Sequence, residues 1–276
     1  MRRNRRSQWL FGIIFLTITT TVGVHAQTPK PTPTPTLEHE FFKNILRDQK
    51  AIWTAPLHLE RSDMKWVVPS SIGFMALATT DRMTGDEILE SDGQVKASQW
   101  ISNAGGSIYA LTAAASTFYL IGREKNDYRA RETGVLSAEA MIDSIIVEGA
   151  LKGITQRARP LDGHERSEFF DGGSSFPSGH STQAWALATV VAHEYKDRAA
   201  VQIAAYGIAS AVSVARFTGH KHYISDVVAG SALGFGIGRY VYKAHHRESN
   251  ESTTLFVTPQ FNRQARQYGV GLTWNF

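Results

Sequence analysis

The chain has 276 residues, no cysteine, and 29 basic against 25 acidic side chains. The lack of cysteine excludes a disulfide framework, a thiol nucleophile and a cysteine metal site. Four of the 29 basic residues are arginines within residues 1–26, which contain no acid, so residues 27–276 carry 25 basic and 25 acidic side chains. A formally neutral remainder argues against a nucleic-acid-binding protein, because no excess positive charge is left for a folded surface.

Residues 1–26 have the layout of a secretory signal peptide. Arginines come first, an apolar run follows from Trp9 to Val24, and small Ala26 stands before Gln27. We therefore expect export to the periplasm or cell envelope. The alternative is an uncleaved anchor, because the run is only slightly shorter than a membrane-spanning helix. Residues 27–37 form a Pro/Thr-rich linker, which favours extended polyproline geometry.

Residues 38–246 are predicted to form one all-α domain, a helical bundle. Apolar side chains recur at helical spacing in seven segments, namely Phe41–Trp53, Ser70–Thr80, Gly106–Gly122, Ser137–Arg157, Ser181–Glu194, Ala199–Phe217 and Ile224–Ala244. The mean hydropathy is negative, and charged residues such as Asp226 and Arg239 interrupt the best candidate spans. Since charges inside a span are costly, we favour a soluble domain or one attached peripherally to the membrane.

Residues 247–276 form a C-terminal tail with a different pattern. Val270, Leu272, Trp274 and Phe276 alternate with small or polar residues at the period of a β-strand. A similar apolar stretch begins at Leu255, and a polar turn separates the two. The tail is therefore predicted to hold a short β-hairpin.

The first of three chemically suggestive blocks is K-G-I-T-Q-R-A-R-P, from Lys152 to Pro160. Lys152 and Arg159 are seven residues apart, so on one helix they would project from nearly the same face, with Pro160 ending the helix. Taken alone, these cations and Arg157 are typical of a solvated basic stripe. Their position ahead of the next block favours phosphate binding instead.

The second block is P-S-G-H, from Pro177 to His180, immediately before a predicted helix. Backbone N–H groups of Ser178, Gly179 and His180 would point outward at the helix N-terminus, where anions bind readily. His180 would stand beside a bound phosphate.

The third block runs from Ala215 to Asp226 and contains one cation, Arg216, and the pair His222 and Asp226. At a spacing of four residues on a helix, the carboxylate would accept the Nδ1 proton of His222 and leave Nε2 with a free lone pair. His220 and His222 could alternatively be a metal pair. No acidic cluster with ligand spacing accompanies them, and nearby cations would repel a metal, so no metal site is expected.

Together the blocks resemble the signature K-x6-R-P, P-S-G-H and S-R-x5-H-x3-D of the type 2 phosphatidic acid phosphatase (PAP2) and vanadium haloperoxidase superfamily. Ala215 stands where that family usually has Ser, which bears on substrate fit more than on the reaction class. The resemblance implies a catalytic set of His222, His180 and Asp226. It also implies a phosphate-binding set of Lys152, Arg159, Ser178, Gly179 and Arg216.

The resemblance and the residue chemistry agree on a metal-independent phosphatase that forms a phosphohistidine at His222. His180 would act first as acid and then as base. Expected substrates are lipid phosphates, lipid pyrophosphates or small phosphoesters, with possible peripheral membrane contact. Two alternatives stay open. One is a vanadate-dependent haloperoxidase, with vanadate as cofactor rather than as a phosphate mimic, and the other is a non-catalytic envelope protein that binds lipid or a partner.

Overall fold

The described part of the chain consists of eight α-helices, one short 3-10 helix and one pair of β-strands. This computed structural model describes residues 37–87, 91–160, 168–246, 255–262 and 267–274. The predicted signal peptide lies outside the described residues, and so does the predicted linker except Leu37, which is already the first residue of α1. The predicted all-α bundle is confirmed.

The helices have the following bounds: α1 Leu37–Thr54, α2 Met64–Glu87, α3 Asp92–Gly106, α4 Ile108–Lys125, α5 Tyr128–Thr155, α6 Gly179–Glu194, α7 Ala199–Thr218 and α8 Ile224–His245. The 3-10 helix Ala55–His58 follows α1.

Side-chain caps explain two differences from the predicted helices. Ser107 accepts a hydrogen bond from the backbone N–H of Ala110 at 3.3 Å, so it ends α3 and begins α4. Helix α3 was missed because its sequence is mostly polar and carries little apolar periodicity. Asp127 accepts from Ala130 N–H at 3.1 Å and starts α5 well before the predicted Ser137.

The end of α5 corrects the prediction for the first block. The helix stops at Thr155, because Gln156 adopts a left-handed φ of 42° and its N–H bonds back to the carbonyl of Lys152. Lys152 therefore lies in the last turn of α5, whereas Arg159 lies beyond the helix. Pro160 is not what ends it.

Helix α6 packs against α5, α7 and α8, and its contact with α8 is especially close. Three glycines of α8, spaced four residues apart, face the α6 backbone. A Cβ atom at Gly230 would lie only 2.6 Å from the backbone oxygen of Ser178, the N-cap residue of α6. At Gly234 and Gly238, a Cβ atom would lie 2.1 and 2.5 Å from backbone oxygens of α6 itself. Since only glycine permits this approach, the stripe holds the start of α8 against the start of α6.

A polar seam joins α1 to α5 and α8. His245 Nε2 lies 2.8 Å from both carboxylate oxygens of Asp48, and Asn44 Nδ2 donates to Glu139 Oε1 at 3.1 Å. Both carboxylates are completely buried. The seam adds directional bonds to the apolar packing of Leu37, Phe41 and Ile52 against the core, and together they set the position of α1.

The two strands, β1 Leu255–Asn262 and β2 Gln267–Trp274, form an antiparallel hairpin. The register pairs Leu255 with Trp274 and Asn262 with Gln267. Among the described elements, the strands contact each other and no helix. Phe276, the last residue of the predicted alternation, lies outside the described residues.

Candidate active site

The three sequence blocks meet at one end of the bundle. Lys152 comes from the C-terminal turn of α5, Gly179 and His180 begin α6, Arg216 lies in the last turn of α7, and Asp226 lies in the first turn of α8. Because these helices run alternately up and down, the ends of α5 and α7 lie beside the starts of α6 and α8.

His180 is the residue on which the positive charges of this cluster converge. Burial is the main cause that lowers its pKa to about 4, and the neighbouring charges of Arg216, His222, Lys152 and Arg159 contribute to the same shift. Its ring packs on the end of α3, where a Cβ at Gly106 would lie 3.3 Å from His180 Cδ2. Without a bound anion, His180 is therefore a neutral imidazole.

His222 lies in the turn before α8, so the prediction that it shares a helix with Asp226 is wrong. Its Nδ1 lies 2.8 Å from the backbone carbonyl oxygen of Ser175 and 3.7 Å from Asp226 Oδ2. A carbonyl oxygen can only accept, so Nδ1 carries the proton and Nε2 keeps its lone pair. The predicted tautomer results, but the Ser175 carbonyl selects it.

The ionisation of the His222 and Asp226 pair follows from their surroundings. Burial lowers the pKa of His222, although Asp226 acts in the opposite direction. Burial alone would raise the pKa of Asp226, but His222, Arg157 and Ser175 outweigh it and the pKa lies below its usual value. The site thus pairs a neutral imidazole with a carboxylate.

Asp226 is held by three further groups. Its Oδ1 accepts from Arg157 Nη1 at 2.7 Å, and its Oδ2 accepts from Ser175 Oγ at 2.5 Å and from Tyr223 N–H at 3.0 Å. Arg157 is completely buried, so it does not belong to a solvated stripe, and Ser175 is completely buried too. Sequence reasoning missed both roles, because the partner of each lies more than forty residues away along the chain.

The N-terminus of α6 is arranged differently from the prediction at one position. The N–H of Ser178 donates to the backbone oxygen of Asp226 at 3.0 Å, so it does not point into the pocket. The first backbone hydrogen bond of α6 runs from Thr182 N–H to the Ser178 carbonyl. The N–H groups of Gly179 and His180 precede this bond, so they have no acceptor within the helix. These two amides form the helix-terminal anion site.

Glu148 is an acidic neighbour of this anion site that sequence reasoning also missed. Its Oε1 lies 3.4 Å from Lys152 Nζ, and a Cβ at Gly179 would lie 2.5 Å from the same oxygen. Burial raises the pKa of Glu148, whereas Lys152 and Gln183 oppose that rise. The sequence signal was the four-residue spacing from Lys152, which places both side chains on one helix face.

Serines orient the two guanidinium groups. Arg159 Nη2 donates to Ser174 Oγ at 3.3 Å, and Arg216 Nη1 donates to Ser102 Oγ at 3.4 Å. Ser102 belongs to α3, the helix that the sequence did not predict. Three cations, two helix-terminal amides and two imidazoles thus surround one pocket, and such a set suits a phosphate group.

Comparison with known proteins supports the same family. Residues 133–250, which include all three blocks, match the sequence profile of the PAP2 superfamily. The lipid A 1-phosphatase of Porphyromonas gingivalis is 37% identical over 70 residues, which are 25% of this chain and 16% of that protein. A PA-phosphatase related-family protein of Dictyostelium discoideum is 27% identical over 143 residues, 45% of this chain and 52% of that protein. The chain matches less than two thirds of the length of either relative.

Two solved structures also resemble the PAP2 segment and its surroundings. One is a transmembrane PAP2-type phosphatidylglycerolphosphate phosphatase from Bacillus subtilis, with a TM-score of 0.45 and 22% identity over 76% of this chain and 98% of that one. The other is LpxE of Aquifex aeolicus, with a TM-score of 0.44 and 18% identity over 60% of this chain and 93% of that one.

Away from the candidate active site, one group of side chains among the described residues has ligand atoms close enough together for a metal. Glu132, Glu194 and His246 offer atoms within 4.8 Å of one another. Glu194 is the last residue of α6 and Gly179 the first, so the group lies roughly 22 Å along the helix from the phosphate pocket. It is separate from the site described above.

Proposed function

We propose that this chain is a metal-independent phosphatase that hydrolyses phosphomonoesters, with lipid phosphates or lipid pyrophosphates as its main substrates. The observation that carries the proposal is the hydrogen bond from His222 Nδ1 to the Ser175 carbonyl at 2.8 Å. It leaves the Nε2 lone pair available as a nucleophile among three cations.

In the first step, His222 Nε2 forms a bond to phosphorus while the bond from phosphorus to the leaving oxygen breaks. Lys152, Arg159, Arg216 and the amides of Gly179 and His180 stabilise charge on the remaining phosphate oxygens. Asp226 stabilises the positive imidazole ring. His180 gives a proton to the leaving alkoxide, and the product is a phosphohistidine.

In the second step, the now neutral His180 takes a proton from a water molecule, and the water oxygen attacks phosphorus. The bond from phosphorus to His222 breaks, so the imidazole is restored and inorganic phosphate is released. His180 keeps this proton while phosphate is bound, loses it when phosphate leaves the positively charged site, and takes up a proton again when the next substrate binds.

Substrate charge explains how His180 becomes an acid. In the empty pocket its pKa is about 4, because the site is buried and strongly positive. A phosphate ester brings negative charge between the cations and offsets them, which raises the pKa of His180. Protonation of the general acid is then coupled to substrate binding.

Membrane association and lipid substrates are supported by the apolar surface. Two segments, Asp92–Lys125 and Ala199–Thr218, are long and apolar enough to cross a membrane. In the most apolar 18 residues of each segment, only 17% and 28% of the residues are buried. The named relatives are phosphatases of lipid A and of phosphatidylglycerolphosphate. We propose a phosphorylated lipid of the cell envelope as substrate, and residues 1–26 as the segment that exports the chain.

Phosphate release from purified protein tests this function. Lipid phosphate and lipid pyrophosphate in detergent micelles are compared with a soluble monoester, each with and without EDTA. We expect EDTA-resistant turnover that favours the lipids, loss of turnover in His222→Ala, and a drop of about 10²- to 10⁴-fold in His180→Gln. His58→Ala, a change at an exposed histidine, is the matched control.

The covalent intermediate is tested with radiolabelled substrate. His180→Gln should accumulate label on the protein that is released by acid and retained in alkali, and His222→Ala should take up none. Turnover that EDTA abolishes, or full activity in His222→Ala, would contradict the proposal.

The two alternatives give distinct results in the same assays. As a phosphate mimic, vanadate should inhibit turnover by occupying the cationic pocket. Halide oxidation with vanadate and peroxide would indicate a haloperoxidase. Binding of phosphate without any turnover would indicate a non-catalytic protein.

A further inference from the structure

Arg157 is a completely buried cation that the proposed reaction does not use. It lies in the loop after α5, between the two cations of the first block. Its Nη1 donates to Asp226 Oδ1 and to Ser225 Oγ, both at 2.7 Å. Its Nη2 donates to Asp81 Oδ2, also at 2.7 Å.

Asp81 connects this guanidinium to a third element. It lies on α2, is completely buried, and its Oδ1 accepts from the backbone N–H of Ser225 at 3.1 Å. Its Oδ2 also accepts a short bond from Ser225 Oγ. Asp81 therefore fixes both Arg157 and the first turn of α8, from which Asp226 projects.

Aromatic rings enclose the guanidinium. The Cζ atom of Arg157 lies 4.6 Å from the ring centre of Phe169 and 4.5 Å from that of Tyr223. A planar, weakly hydrated guanidinium suits such a site, whereas a lysine ammonium could not stack on the rings and also reach both carboxylates.

Building on the function proposed above, we propose that Arg157 and Asp81 form a positioning pair that fixes the Asp226 carboxylate and, through it, the attacking ring of His222. Ser175 links Asp226 to His222, because its Oγ donates to Asp226 and its carbonyl accepts from His222. Movement of Asp226 would therefore displace the contacts that orient the nucleophile.

The charges of this group also match the reaction. Two carboxylates and one guanidinium leave a single net negative charge behind His222. That charge is balanced when the ring becomes positive during attack on phosphorus. The other charged groups that act on His222 are Arg216 and Arg159, with His180 beside them. Removing Arg157 would strengthen the negative charge behind the ring, and removing the Asp81 charge would weaken it.

Three variants test the pair: Arg157→Met, Asp81→Asn and Arg157→Lys. The measurement is NMR of full-length protein with ¹⁵N-labelled histidine rings, in which the His222 signal is assigned by its loss in His222→Ala. We expect the ring to protonate about one pH unit higher than wild type in Arg157→Met, and at a lower pH in Asp81→Asn. Opposite shifts from two members of one ion pair would not result from general loosening of the fold.

Arg157→Lys separates charge from geometry. It should leave the protonation of His222 near that of wild type, because the charge is kept. It should lower kcat roughly tenfold at unchanged KM, because one ammonium cannot reach both carboxylates. Asp197→Asn, which removes an acid from the exposed Arg129–Asp197 pair, is the control and should change neither quantity.

Removal of one partner from a buried ion pair often costs about 3–5 kcal/mol, so Arg157→Met is examined by near-UV circular dichroism first. If it does not fold, Asp81→Asn and Arg157→Lys carry the test. An unchanged His222 titration in folded Asp81→Asn, or wild-type kcat in Arg157→Lys, would overturn the proposal. The NMR titration needs no turnover, so it tests the positioning pair independently of phosphatase activity. If the predicted shifts occur in a protein that releases no phosphate, the proposed function is rejected and the positioning pair is not.

Discussion

Ser175 contacts both members of the His222 and Asp226 pair through different atoms. Its carbonyl accepts from His222 Nδ1, and its hydroxyl donates to Asp226 Oδ2. Removal of this side chain therefore removes the bond to Asp226, and with it the longer 3.4 Å contact between the hydroxyl and His222 Nδ1, but it keeps the 2.8 Å bond from His222 to the carbonyl. Variants of Ser175 can therefore distinguish what the His222 tautomer contributes to activity from what the Asp226 carboxylate contributes.

We predict that Ser175→Ala keeps the reactive tautomer of His222 and lowers kcat about tenfold, because Asp226 loses a hydrogen bond worth roughly 1.5–3 kcal/mol. Asp226→Asn should cause a larger loss. Steady-state kinetics measure both, with Ser210→Ala at an exposed position of α7 as the control. Equal losses in Ser175→Ala and Asp226→Asn would show that the hydroxyl does more than hold the carboxylate.

His180 should take up a proton when an anion enters the pocket. Sulfate is a useful probe, because it stays a dianion over the range between the empty-site pKa of about 4 and the ordinary histidine value of about 6.5. Calorimetry of sulfate binding in buffers of different ionisation enthalpy should show uptake of up to one proton per site. His180→Gln should bind sulfate without that uptake, and unaltered uptake in this variant would assign the proton to another group.

At the scale of elements, the glycine stripe of α8 fixes how closely α6 and α8 approach. A Cβ at Gly234 would lie 2.1 Å from the backbone oxygen of Thr182, whereas one at Gly236 would meet no atom within 4 Å. The two positions are two residues apart on one helix, so they differ in packing and hardly in anything else.

We predict opposite effects of the same substitution at these positions. Gly236→Ala should raise stability by up to about 1 kcal/mol, the usual gain of alanine over glycine in a helix. Gly234→Ala should lower stability by roughly 1–3 kcal/mol through overpacking and reduce activity, because α6 and α8 both carry site residues. Thermal unfolding and phosphate release measure the pair, and equal effects at both positions would contradict the role of the stripe.

The polar seam between α1, α5 and α8 should weaken as the pH rises. Asp143 of α5 belongs to this seam, because its Oδ1 accepts from Gln49 Nε2 of α1 at 2.8 Å. Burial raises the pKa of both Glu139 and Asp143 to about 7. A carboxyl with a raised folded-state pKa stabilises the fold while it is protonated, and this contribution is lost as the pH rises through that value.

We therefore predict that the Tm falls between about pH 5 and pH 8, by an amount equivalent to roughly 2–3 kcal/mol per group. Glu139→Gln, a neutral mimic of the protonated acid, should reduce this fall. Exposed Glu124→Gln should leave it unchanged. A Tm that rises over this interval would refute the assignment.

For the whole molecule, large exposed apolar side chains point to contact with lipid. Trp100, near the end of α3, and Tyr109, at the start of α4, are 72% and 85% exposed. Soluble proteins rarely expose such groups over long stretches. The sequence-based preference for a soluble or peripheral domain rested on interrupted hydropathy, which does not reveal how much of each helix other helices cover.

We predict that the purified protein floats with phospholipid vesicles and that Trp100→Glu with Tyr109→Glu reduces the bound fraction several-fold, since charged groups are costly in lipid. Lys196→Glu introduces an acid at an exposed polar site and should have little effect. Flotation that is the same in all variants would exclude this stretch from the lipid contact.

Much of the site could be predicted because its chemistry is local in sequence. The spacing of Lys152 and Arg159, the P-S-G-H turn and the third block each lie within a dozen residues. Most helices could be predicted for the same reason. Helix α3 could not, because its sequence is mostly polar. Ser107 and Asp127 changed helix limits that apolar periodicity alone did not determine.

By itself, the sequence determined the PAP2-type residue set, the all-α class and the lack of any cysteine chemistry, because these depend on residue type and short spacing. The tertiary structure alone decided that Arg157 is buried, that the Ser175 carbonyl selects the His222 tautomer, and that Asp81 reaches Asp226 through Arg157. These contacts join segments up to 144 residues apart. Burial turns a cation that would be solvated on a surface stripe into the partner that buried carboxylates require.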